Sequence, residues 1–105
     1  MTWVEQAVTL VVGDNNNVTL NSGVDVLKCS AVTSTTVTGV TGGVTGRTLY
    51  IYNNTVGDIT ITNQDANSTN VNRFAISGGN NHVIISPTSG RLFYYTGSRW
   101  VTNWP

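Results

Sequence analysis

Residues 46–100 read GRTLYIYNNTVGDITITNQDANSTNVNRFAISGGNNHVIISPTSGRLFYYTGSRW. Leu49 and Ile51 alternate with Tyr50 and Tyr52, and Ile59 and Ile61 alternate with Thr60 and Thr62. A period of two places alternate side chains on opposite faces of a strand. Further apolar runs follow at His82-Val83-Ile84-Ile85 and Arg91-Leu92-Phe93-Tyr94-Tyr95, each bounded by Gly, Asn, Ser or Pro. Such runs recur about every ten residues, the spacing of an all-β sandwich or barrel. The expectation is therefore an antiparallel β-sandwich or barrel-like domain. No stretch keeps a helical period.

Upstream, the strand signals continue. Residues 3–12 read as a first strand ended by the turn cluster Gly13-Asp14-Asn15-Asn16-Asn17, in which Asn and Asp tolerate left-handed backbone. A second run, Val24 to Cys29, mixes polar and apolar residues on both faces. Residues 31–46 are almost wholly Thr, Val, Ser and Gly, with Val-Thr-Gly at 37–39, 40–42 and 44–46. The uneven spacing and absence of proline exclude collagen. An extended, bulged connector is expected, its glycines placed where another backbone passes close.

Composition narrows the function. The 105 residues suit a single domain. Only 10% are charged, and five Lys and Arg balance five Asp and Glu. Ordinary soluble domains carry about 25% charged residues. A chain near zero net charge associates unless its sticky surface is already occupied. Nucleic-acid binding needs clustered basic residues, and none cluster here. No apolar run is long enough to span a bilayer, and Glu5 and Gln6 interrupt the apolar start that a secretory leader needs. A lone Cys29 permits no intrachain disulfide and reads as a small strand residue.

Candidate chemistry is thin. The glycine-rich 39–48 stretch leads into a strand, whereas a phosphate loop opens a helix. His82 is the sole histidine, too few for a triad beside a matched nucleophile or for most zinc sites. Asp58 and Asp65 flank one strand, but nothing converges them on a sugar bond. No catalytic residue, metal or cofactor is expected. N-x-Ser/Thr sequons at Asn17, Asn53 and Asn67 arise by chance in so Asn- and Thr-rich a chain. The aromatic residues Tyr50, Tyr52, Tyr94, Tyr95, Trp100 and Trp104 are the candidates for a subunit seam or a glycan contact. The 49–52 and 92–95 runs are apolar on both faces, although a small antiparallel sheet normally leaves one face to water. Neighbouring copies are expected to supply the missing cover.

With Asn72-Arg73-Phe74 mid-way and Arg99-Trp100 at its close, the run from Thr38 to Trp100 resembles a small all-β module of tailed-bacteriophage virion proteins. Fibre, collar and decoration components carry that module. The resemblance implies fold-bearing roles for Asn72, Arg73, Phe74 and Arg99, with Arg73 pairing to backbone carbonyls or Asp65 and the Trp100 ring covering the end of a sheet. It also implies a homotrimer. Residues 1–37 lie outside it and are expected to form N-terminal strands for attachment, with 38–105 as the module. The expected function is a non-enzymatic structural virion protein on the particle exterior, assembled in the bacterial host cytoplasm. A decoration or cement protein bound to the major capsid protein, or to another virion protein, is favoured by the short chain. The alternative is a tail-fibre or receptor-binding module that recognises host surface glycans.

Overall fold

The computed structural model describes residues 2–86 and 89–102. Ten strands follow in order: β1 (Glu5–Thr9), β2 (Asp14–Asn15), β3 (Val26–Ser30), β4 (Thr35–Val37), β5 (Thr48–Asn53), β6 (Ile59–Ile61), β7 (Phe74–Ala75), β8 (His82–Ile84), β9 (Ser89–Tyr95) and β10 (Trp100–Val101). One 3-10 turn, Asn70–Asn72, precedes β7, and the described residues contain no α-helix. The all-β reading holds.

The pairing does not follow the antiparallel expectation. β1 lies parallel to β3 and β3 to β5, while β2 lies parallel to β4 and β4 to β6. Glu5 pairs with Val26 and Val26 with Tyr50, so the chain advances 21 and then 24 residues before lying beside itself again. Three coils, each one strand from either sheet, stack in a solenoid-like arrangement. Parallel neighbours need a long crossover, and here the strand of the other sheet supplies it. The chain then reverses. β9 runs antiparallel to β5, β8 antiparallel to β6, and β10 antiparallel to β9. β7 closes the order parallel to β10. The six-stranded sheet is ordered β1-β3-β5-β9-β10-β7 and the four-stranded sheet β2-β4-β6-β8. Spacing of about ten residues thus marked a corner between sheets more often than a hairpin within one.

The early turns shift accordingly. Part of the expected 13–17 turn is β2, and the left-handed backbone falls on Asn17 alone among its asparagines, at φ 47°. The expected connector holds β4, and Val40 bridges Val18 in parallel. Gly39 is where a second backbone passes close. A Cβ there would stand 2.4 Å from Ser68 Oγ and 2.7 Å from the Asn72 carbonyl oxygen. No break falls at position 37, because β3 and β4 pair directly with β5 and β6.

The core joins both sheets. Leu27, Cys29, Leu49, Ile51 and Phe93 from the larger sheet meet Val37, Ile59, Ile61 and Ile84 from the smaller in one buried cluster. Each such side chain adds about 1.5–3 kcal/mol when fully buried. Cys29 is only 1% exposed, and burial pushes its thiol pKa up to about 12. Thiolate is the reactive form. The native protein is therefore expected to resist maleimide at neutral pH and to label stoichiometrically once denatured, as read by intact mass. Rapid labelling without denaturant would refute the buried placement.

Asn53 occupies the ladder position of Val8 and Cys29, where its coil needs a polar tie. Its side-chain amide donates to the Gly57 carbonyl at 3.1 Å and the Ile84 carbonyl at 2.8 Å. Its Oδ1 accepts the Thr55 N–H at 2.8 Å. One fully buried side chain thereby ties the β5–β6 corner to β8.

Candidate functional site

Strand alternation divides the aromatic residues into two sets. On β5, Leu49, Ile51 and Asn53 turn inward while Tyr50 and Tyr52 face out, half-buried. On β9, Phe93 and Tyr95 turn inward while Leu92 and Tyr94 face out, 41% and 40% exposed. The register sets these outward residues side by side. Glu5, Val26, Tyr50 and Leu92 form one row, and Thr48, Tyr94, Val101 and Ala75 form another. A third row holds Ala7, Lys28, Tyr52 and Gly90. Gly90 explains how the face stays flat. A Cβ on it would lie 2.3 Å from Tyr50 Cζ, so the tyrosine ring rests on bare backbone. The outer face of the six-stranded sheet thus carries a partly exposed strip of aromatic and aliphatic side chains, most open at Leu92 and Tyr94 and bordered by Glu5 and Lys28.

Tyr95 and Trp100 leave the list of contact candidates. The Trp100 ring is fully buried, packs edge-on to Tyr95 at 5.1 Å, and donates its indole N–H to the Val40 carbonyl at 2.9 Å. Tyr95 donates its hydroxyl to the Val71 carbonyl at 2.8 Å. Both rings point inward because their positions share the inner face of β9 and β10, where Trp100 stands opposite Tyr95. Trp104 lies outside the described residues. Of the six aromatic candidates, Tyr50, Tyr52 and Tyr94 are brought together on the outer face.

The residues expected to bear the fold are found at the β7–β10 edge. Phe74 is fully buried, its ring 5.0 Å from that of Phe93. Asn72 donates its side-chain amide to Asn17 Oδ1 at 2.9 Å, and its carbonyl accepts the Val40 N–H. Arg73 donates from Nε to the Ser68 carbonyl at 2.9 Å and from Nη1 to Asn70 Oδ1 at 2.8 Å. Asp65 is not its partner, since that carboxylate accepts from Thr62 Oγ1 and the Asn67 N–H. Arg99 reaches the same Asn70 Oδ1 with Nη2 at 3.0 Å and donates from Nε to Gln64 Oε1 at 2.8 Å.

The remaining polar candidates are tied into structure. Asp58 accepts the Ser86 N–H, and Asp14 accepts the Asn67 amide. His82 sits against Arg91 on β8 and β9, and partial burial, followed by that guanidinium, holds its pKa below the usual value. Arg47 spends its guanidinium on the Gly42, Asn21 and Val24 carbonyls. Among the described residues no group of three or more His, Cys, Asp or Glu comes together, and no helix is long and apolar enough to cross a membrane.

A second uncovered strip was not foreseen. Val11, Val32 and Val56 fall in the β1–β2, β3–β4 and β5–β6 corners of successive coils, 63%, 82% and 79% exposed. The three valines were visible in the sequence, but only a coil of 21–24 residues stacks them.

Fold and site together define a short solenoid-like all-β protein with two uncovered apolar strips. No family model, curated protein or solved structure matches the chain.

Proposed function

We propose that this chain is a non-enzymatic structural protein of a tailed-phage particle, a decoration protein that seats its six-stranded outer face on the shell. The observation that carries this reading is the outer-face strip of Val26, Tyr50, Leu92, Tyr94 and Val101, open to solvent at Leu92 and Tyr94 and half-buried elsewhere. Large apolar patches on an otherwise polar surface mark interaction sites, and aromatic side chains concentrate in the buried centre of protein interfaces. Near-zero net charge removes the repulsion that would keep copies apart. The valine corner supplies a second contact, copy to copy, for which a trimer is the proposed closure. The mechanism is associative. Each subunit buries surface against shell proteins, and binding stabilises the shell by mass action.

The pair of substitutions Leu92→Glu and Tyr94→Glu is expected to abolish binding to stripped particles. Both residues are substantially exposed, so the variant keeps its own thermal midpoint within the small range usual for surface changes. Decorated particles should release their genome at a higher temperature than stripped ones. Equal melting of the two, or full binding by the double variant, would exclude the role. Sedimentation of the free protein as a monomer at every concentration would remove the trimer.

The Tyr50 ring laid over Gly90, with Tyr52 beside it, also has the form of a sugar platform, and so favours a glycan-reading module as the second reading. Tyr50→Ala is the fitting probe for it on a glycan array. Trp100→Ala is unsuitable, because that ring is in the core.

A further inference from the structure

The β7–β10 ladder pairs Phe74 with Trp100 and Ala75 with Val101 in parallel. One step back along the same register places Arg73 beside Arg99, and the Trp100 N–H to Arg73 carbonyl bond at 3.0 Å holds them there. Phe74 and Trp100 face the core, so both arginines fall on the outer side, on the same face as Val101 and Tyr94. Like charges opposite each other on one sheet face repel. Here they share Asn70 Oδ1, at 2.8 and 3.0 Å, and their other bonds go to the Ser68 and Ser98 carbonyls and to Gln64 Oε1, so every acceptor they meet is neutral. None of the five acids answers them. Asp14, Asp58 and Asp65 accept from other groups, Asp25 accepts the Val4 N–H at 2.9 Å, and Glu5 sits on β1 at the opposite edge of the sheet.

We propose that Arg73 and Arg99 form a two-guanidinium site for a carboxylate, supplied by an Asp or Glu side chain of the protein on which the outer face docks. This rests on the docking reading above and specifies the chemistry of the partner surface: apolar over the tyrosine strip, with an acid beyond its edge. Paired guanidinium forks match a planar carboxylate and make charge-assisted hydrogen bonds. A protein is favoured over an acidic sugar because the arginines border an apolar strip. An apolar centre with a charged rim is the anatomy of a protein interface.

The site can be read without any particle, so its failure is separable from that of the docking role. The full chain, labelled with 15N, is titrated with a hexaglutamate peptide, and the arginine Nε–Hε signals are followed by NMR. The expected result is a saturable shift of Arg73 and Arg99 with Arg47 unmoved, weakened as salt is raised. Arg99→Gln should weaken binding by about tenfold, while Arg99→Lys, which keeps charge but not the fork, recovers only part of it. Arg91→Gln should bind as the parent does. Absence of shift at millimolar peptide, or equal loss in the Arg91 variant, would overturn the site. Tighter binding of tetragalacturonate than of hexaglutamate would overturn the protein assignment in favour of an acidic glycan.

Discussion

Trp100→Ala is expected to cost about 3–5 kcal/mol of folding stability, the range for truncating a buried aromatic side chain. The ring is fully buried, stacks edge-on to Tyr95, and lends its N–H to Val40. Val40 is sixty positions away and bridges Val18 of the first coil. The indole therefore ties the late antiparallel strands to the early parallel coils. Total stabilities of small domains run about 5–15 kcal/mol, so this one truncation should leave the protein near its unfolding threshold. Urea titration followed by far-ultraviolet circular dichroism measures the loss without relying on the missing fluorophore. Trp100→Phe separates packing from hydrogen bonding. It keeps most of the volume but strands the Val40 carbonyl, at an expected cost of about 1–3 kcal/mol. An alanine variant within 1 kcal/mol of the parent, on the scale of an ordinary surface change, would show that the ring is not where the fold places it.

Asn53→Leu is the second large effect. The substitution adds hydrophobicity and nearly conserves volume, so a purely apolar account of the core would call it harmless. The amide it removes serves the Gly57 and Ile84 carbonyls and the Thr55 N–H inside the protein. Leaving a buried polar group unmatched costs about 1–3 kcal/mol each; the Ile84 carbonyl and the Thr55 N–H lose this partner, while the Gly57 carbonyl keeps the Thr55 hydroxyl. A loss of about 2 kcal/mol or more is expected, together with early amide exchange at Thr55. Because Asn53 joins the β5–β6 corner to β8, the β8 amides should exchange sooner as well. A variant as stable as the parent would mean that water replaces the amide and that the corner is open.

Much of this was legible before any coordinates. The alternation in 49–52 and 92–95 correctly predicted strands with an apolar residue on both faces, and from it followed the uncovered outer strip. The same alternation could not tell which tyrosine faced which way. Tyr94 and Tyr95 are adjacent and equally aromatic, and only the pairing of Trp100 with Tyr95 settles that Tyr95 is the inner one. Parallel pairing was hidden for a physical reason. A hairpin announces itself by a turn between its strands, whereas partners such as Leu27 and Ile51 lie a whole coil apart with another strand between them. Val18-Thr19 and Val40-Thr41 were the available sign, since Val18 and Val40 bridge at a distance of one coil. Arg73 and Arg99 each stand out in the sequence singly. Their adjacency follows from register, which composition does not carry.

The stacking of the first three coils has an evolutionary side. Within that stack each strand ladder joins a coil only to the one before and the one after it, as in other quasi-one-dimensional proteins. Inserting or deleting one such segment would lengthen or shorten the body by about 4.8 Å, one strand spacing, along the strand order that lies in the plane of the tyrosine-bearing face. Descendants of this chain could therefore broaden or narrow the face they present by whole-segment duplication, while each added strand reuses the same ladder geometry.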